Sequence, residues 1–215
     1  MTSPGQPGGL RERKKQATRK ALREAALRLA LERGPGNVRV DDIAESAGVS
    51  PRTYNNYFSS REQAIVAAVT AEREARVAAA VAARPASTRL ADAIIEAIVE
   101  QYTNPDSHDQ EVLRLITSGS ALRNAFLDTA TRIEDPLTTA IAERIGDEGR
   151  DTARVLSASV AAAVRIALQR WLRPATAPSA SSGLVVPSGS LPELLRASLA
   201  PLTPALDAAE GVTTG

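Results

Sequence analysis

Residues 40–58 read VDDIAESAGVSPRTYNNYF, and Gly48 within them divides two stretches that each carry the marks of a short helix. Before it, Val40, Ile43, Ala44 and Ala47 recur at helical spacing, with Asp41, Asp42, Glu45 and Ser46 between them, so one face is apolar and the other wet. Gly48 then stands where a left-handed residue ends a helix without a Cβ clash, and Val49 is placed to fill the space between the two elements. Ser50 offers an N-cap hydroxyl and Pro51 occupies the first helical position, where a missing N–H costs nothing. The segment therefore specifies helix, tight turn, helix.

The second helix, residues 51–57, is too short to be stable alone. Arg52, Thr53, Asn55 and Asn56 are polar, which leaves mainly Tyr54, Tyr57 and Phe58 for packing. Arginine and asparagine match the donor and acceptor edges of guanine and adenine in the major groove, and threonine and tyrosine hydroxyls suit phosphates. The polar face thus points to double-stranded DNA as its partner. A solvated helical hairpin would show the same spacing, but the surrounding charge argues for the nucleic acid. Residues 10–33 form a basic amphipathic helix, with Leu22, Ala26, Leu29 and Ala30 on one stripe and Arg11, Arg13, Lys14, Lys15, Arg19, Lys20 and Arg23 near its start. Residues 1–63 carry 12 basic and 7 acidic side chains, whereas the remainder carries 14 and 18, so a net +1 chain has a basic head and a mildly acidic body. That asymmetry is expected of a phosphate-binding module joined to a regulatory one.

Downstream, Ser60 and Gln63 have capping-box spacing, and Arg61 lies in the first turn of the third element. Taken together, the basic helix, LERG, V-x-DIAESAGVS, the Thr-Tyr-x-x-Tyr-Phe helix and S-S-R-E resemble the N-terminal domain of the TetR family of transcriptional regulators. The resemblance spans residues 18–69. It implies base or phosphate contacts for Ser50, Pro51, Arg52, Thr53, Asn55, Asn56 and Tyr57, and a phosphate contact for Arg61, where the family usually has lysine. Arg39 departs from the threonine common in the family. Arginine cannot accept a capping bond, so Arg39 either loosens that helix start or exchanges the cap for a contact with DNA.

The expected organisation is a polar, disordered tail at 1–9, a helix-turn-helix DNA-binding domain at 10–63 and a ligand-binding and dimerisation domain at 64–215. The length of 215 residues and 43% hydrophobic content suffice for a true core. The fold class is all-α, with further helices at 61–83, 88–102, 108–118, 120–129 running on with a break at Pro136 toward 145, 150–172 and 191–208. No apolar run reaches the roughly 18 residues of a spanning helix, the N-terminus does not read as a signal sequence, and the absence of cysteine excludes disulfides and thiolate metal sites. A cytoplasmic protein is expected.

In residues 151–171, Leu156, Val160, Ala163, Ala167 and Trp171 form one apolar stripe, and Val155, Ala162 and Ile166 form a second. Such a helix needs two partners, its own core and a second subunit. With Leu194, Leu195, Leu199 and Leu202 on one face of the last helix, a homodimer through 151–172 and 191–208 is expected, and the family resemblance implies the same four-helix interface. Two recognition helices one DNA turn apart would read a pseudo-palindromic operator, and a small-molecule effector would act by changing their separation.

The effector pocket is expected within 86–173, where Leu113, Ile116, Leu122, Phe126, Leu127, Ile133 and Leu137 could line an apolar tunnel, with Trp171 beside it and Arg114, Arg123 and Arg165 meeting an anionic head group. Residues 111–125 and 165–171 are similar to the regulatory domain of mycofactocin-type regulators, which implies an acyl-CoA-like effector. Solvated or ion-paired arginines and a plain core explain the same residues. His108, among Asp106, Asp109 and Glu111, reads as a turn and helix start rather than a metal or catalytic site. No GxSxG, glycine-rich phosphate loop or HExxH is present, so neither an enzyme nor a cofactor is expected.

Overall fold

The computed structural model describes residues 7–70, 73–103, 114–173 and 190–211. Every regular element among them is helical. Contacts divide the chain into two compact units, Met1–Val69 and Thr70–Gly215. The division lies inside a helix rather than at 63/64, where composition had placed it.

In the first unit, α1 spans Pro7–Arg33, so the helix begins inside the stretch expected to be a disordered tail. Its stripe of Leu22, Ala25, Ala26, Leu29 and Ala30 is buried. A 3-10 turn at Pro35–Asn37 leads to α2 (Val40–Ser46), which buries Ile43 and Ala44. The α2 end is a Schellman motif: Gly48, at φ 69°, donates to the Glu45 carbonyl at 3.0 Å, and Val49 donates to the Ala44 carbonyl at 2.9 Å. The next helix, α3 (Pro51–Asn55), is capped by Ser50, whose Oγ accepts from the Thr53 N–H at 3.1 Å. After it comes α4 (Arg61–Thr70), whose first turn is tied by the Gln63 N–H donating to Ser60 Oγ at 3.2 Å.

The second unit contains α5 (Arg73–Ala83), α6 (Leu90–Thr103), a helical stretch at 114–117, α7 (Ser120–Asp128), α8 (Glu134–Ile145), α9 (Arg150–Trp171), α10 (Leu191–Leu199) and α11 (Thr203–Gly211). The core forms where α9 packs on α8 and α10, while α5 packs on α6 and α8. Two boundaries correct the sequence expectation. The break before α8 is the 3-10 turn Thr129–Ile133, and Pro136 sits inside the first turn of α8, where amide hydrogens have no helical acceptor to lose. The last helix is not continuous, because the turn at Ala200–Leu202, containing Pro201, separates α10 from α11.

On α9, Leu156, Val160, Ala163 and Ala167 are buried, and Trp171 is half-buried. Its second stripe faces outward: Ala162 is exposed, Val155 is 65% exposed and Ile166 51%. Local pattern did not reveal the polar lock that closes this unit. Arg144 of α8 donates to Glu210 of α11 at 2.7 Å and to the Thr88 carbonyl, and Glu210 also accepts the Leu90 N–H at 2.8 Å, capping α6. Arg89 reaches both Asp92 and Asp207, adding a more exposed tie between the same helices.

Candidate nucleic-acid interface

The α3 helix is held from below by aromatic packing. Tyr54 and Phe58 are buried against each other with ring centroids 5.8 Å apart, and the Arg19 guanidinium lies over the Phe58 ring. Tyr54 Oη donates to the Ser60 carbonyl at 2.8 Å, which fixes the chain where it turns from α3 into α4. Burial, with a smaller contribution from Glu62, pushes the Tyr54 hydroxyl well above its ordinary pKa, so it stays a neutral donor. With Tyr54 and Phe58 turned inward, Arg52, Asn55 and Asn56 are exposed, as are Ser50 and Pro51, while Thr53 and Tyr57 are half-buried. The helix thus presents guanidinium, amide and hydroxyl groups together on its open side, the set that can read base edges and hold phosphates.

At Arg39 the helix start is not loosened. The Arg39 N–H donates to the Asp42 carboxylate at 3.1 Å, so the N3 residue supplies the reciprocal half of a capping box, and the arginine side chain remains exposed. Arg61, for which a phosphate contact is expected, also has partners inside the unit. Its Nη1 donates to the carbonyls of Gly36 and Val38 at 3.1 and 2.8 Å, and its Nε to Glu62 at 2.8 Å. The guanidinium is a clamp on the loop that delivers Arg39, and only its remaining donors are free of these bonds. Burial disfavours the Glu62 carboxylate, but hydrogen bonds from Arg61, its own backbone N–H and Ser60, with the charge of Arg61, outweigh that and hold its pKa below the usual range.

The residues expected to meet an effector are placed less uniformly. Ile116, Leu122, Phe126, Ile133 and Leu137 are buried, Leu127 is half-buried, and Arg114 is exposed. Arg123 donates to the Thr117 carbonyl at 3.0 Å, and Arg165 pairs with Asp128 at 2.9 Å, so both have partners within the unit. Leu113 and His108 lie outside the described residues. Sequence reasoning missed Arg73 of α5, whose guanidinium stacks 4.6 Å from the Tyr102 ring centroid and 5.8 Å from that of Phe126, with its Nε buried and lacking a hydrogen-bond acceptor. Three aromatic or cationic residues that far apart in sequence leave no local pattern.

A capped, aromatic-backed reading helix after a Schellman turn defines a helix-turn-helix DNA-binding protein, here with an all-helical second unit. Residues 22–68 match the family of bacterial regulatory proteins described as the tetR family. The chain is 29% identical over 181 residues to the HTH-type transcriptional regulator TcmR of Streptomyces glaucescens, a match covering 79% of each protein. That share exceeds the first unit, so the likeness continues into the second. It is 45% identical over 51 residues to the HTH-type transcriptional regulator BetI of Rhizobium meliloti (strain 1021), covering 24% of this chain and 25% of that one. Residues 22–68 thus carry a DNA-binding domain of the TetR family, and the chain is a DNA-binding transcriptional regulator. No helix among the described residues is long and apolar enough to cross a membrane.

Proposed function

We propose that the protein is an effector-responsive repressor that binds a pseudo-palindromic operator as a homodimer. The observation that carries this reading is the outward stripe of α9, where Val155, Ala162 and Ile166 stay exposed although the opposite stripe is buried. An apolar face of this kind is what a second copy covers, and a twofold pair of reading heads requires such a copy. DNA contact is assigned to Arg39, Ser50, Pro51, Arg52, Thr53, Asn55, Asn56 and Tyr57, with Arg61 chiefly positioning the loop before α2.

The effector is a small hydrophobic or acyl-CoA-like molecule taken up by the second unit. Support comes from the buried apolar side chains of 116–137 and from Arg73, a cation with one buried donor unused, set against Tyr102 and Phe126. Binding that favours one spacing of the heads would release the operator by its differential affinity for the two states. The test is retardation of a duplex selected from random sequence by the wild-type protein. Arg52→Ala and Tyr57→Ala should abolish specific retardation while the dimer persists in sedimentation; variants that bind like wild type would refute the recognition-helix assignment. A promoter reporter decides repression, and release of the duplex by long-chain acyl-CoA separates an effector-responsive regulator from a constitutive DNA-binding protein.

A further inference from the structure

The first unit carries a concavity of about 360 Å³ between the start of α1 and the far end of α3. Its α1 wall is Arg11, Lys14, Lys15 and Thr18, at spacings of three, four and seven residues, and therefore one stripe of that helix. Its other wall is Thr53, Asn56 and Tyr57, again at three- and four-residue spacing. The volume corresponds to roughly twelve waters at ~30 Å³ each, enough for a phosphate with its sugar. Three side chains bring full positive charge to this hollow, the other four bring neutral hydroxyl or amide groups, and no carboxylate lines it.

The charge is also available. Farther along α1, Lys20 pairs with Glu24 at 3.8 Å and Arg28 with Glu32 at 3.5 Å, while Glu12, next to Arg11, accepts from Gln16. Among the described residues, Arg11, Lys14 and Lys15 make no ion pair, and all three are exposed. Unpaired cations facing neutral donors across a hollow form an anion cradle, with the neutral groups fixing position and the cations supplying attraction. One wall of the cradle is formed by Thr53 of the reading helix and by Asn56 and Tyr57 directly after it, so the anion that enters while α3 lies in the major groove comes from the same duplex.

We propose that this hollow is a DNA-phosphate cradle, in which Arg11, Lys14 and Lys15 of α1 grip a backbone phosphate that Thr53, Asn56 and Tyr57 position from α3. The inference rests on the DNA-reading role of α3 and extends it to the first helix. The cradle supplies affinity and orientation, and base choice stays with the exposed side chains of α3.

The experiment is a salt titration of binding to the duplex that wild-type protein selects from a random library, comparing wild type, Lys14→Ala/Lys15→Ala and Arg52→Ala. Alanine is a strong helix former and both lysines are exposed, so the double variant keeps its fold, checked by its thermal midpoint. The expected result is a salt dependence shallower by about one unit in log K against log salt per reading head, with affinity near 0.15 M salt down on the order of tenfold. Discrimination against single-base-pair substitutions should be unchanged. An unaltered salt slope in the double variant overturns the cradle, while loss of binding in Arg52→Ala leaves the reading of α3 standing. A loss of base discrimination together with an unaltered slope also overturns it. If the wild type selects no duplex, both the cradle and the reading on which it rests fall.

Discussion

Arg61 Nη1 donates to the Val38 carbonyl at 2.8 Å, across 23 positions of chain. This bond, with the one to Gly36, ties the start of α4 to the loop that leads into α2, and so couples the position of Arg39 to that of α3. Replacing Arg61 with Met removes a charged donor from both carbonyls. Hydrogen bonds to charged groups are worth more than neutral ones, but these carbonyls are partly wet, so the expected loss is about 1–2 kcal/mol. Arg61→Lys should restore only part of it, since an ammonium lacks the planar fork. Denaturant unfolding checks the order; a Met variant as stable as wild type would dismiss the clamp.

The neighbouring carboxylate makes stability depend on pH. Glu62 has a folded pKa below its unfolded value of about 4.3, so its ionised form favours the folded state. That contribution is fully present above the unfolded pKa and is lost as pH falls through the lower folded value. Glu62→Gln should therefore flatten the stability profile below about pH 4.3, measured by thermal midpoints from pH 3 to 7. Parallel profiles for the two proteins would contradict it.

Gly48 adopts φ 69°, and a Cβ there would meet nothing within 4 Å. The cost of Gly48→Ala is then conformational alone, about 1–2 kcal/mol for an alanine in the left-handed region. Calorimetry reads it directly, and a neutral substitution would mean that the turn had changed shape.

Glu210 both pairs with Arg144 and caps α6 through the Leu90 N–H. The Arg144 side chain is only 12% exposed, so Glu210→Ala strands a largely buried guanidinium. The variant should lose about 2–3 kcal/mol, with the damage confined to protection of the second unit in hydrogen exchange. Equal loss of protection around α2 and α3 would argue against that assignment.

For the proposed dimer, Val155→Asp/Ile166→Asp places charge on side chains that are exposed in the single chain. Folding should survive, while sedimentation shifts toward monomer and operator affinity falls at least tenfold, the two heads no longer binding as one unit. A dimer unaffected by both charges would move the interface elsewhere.

Much of this was legible in residue order, for local reasons. The Gly48 turn, the Ser50 cap and the stripes of α1 and α9 arise from interactions within one or two helical turns, so spacing and backbone chemistry suffice to state them. The second stripe of α9 was recognisable because apolar residues on two sides of a helix need two neighbours, whatever those are. Pro136 and Pro201 were harder, since a proline disrupts a helix or begins one according to which amides already lack partners.

By itself, then, the sequence determined an all-helical chain with a basic, capped reading head, because periodicity, caps and charge are properties of neighbouring residues. Tertiary structure alone decided what the individual charges do. Arg61 became a clamp because a loop 23 positions upstream offered two carbonyls, and Arg144 found Glu210 across 66 positions. Arg11, Lys14 and Lys15 became one wall of a hollow because packing set α1 opposite the end of α3. A charge reaches whatever the fold brings within a few ångströms, and chain order does not record that distance.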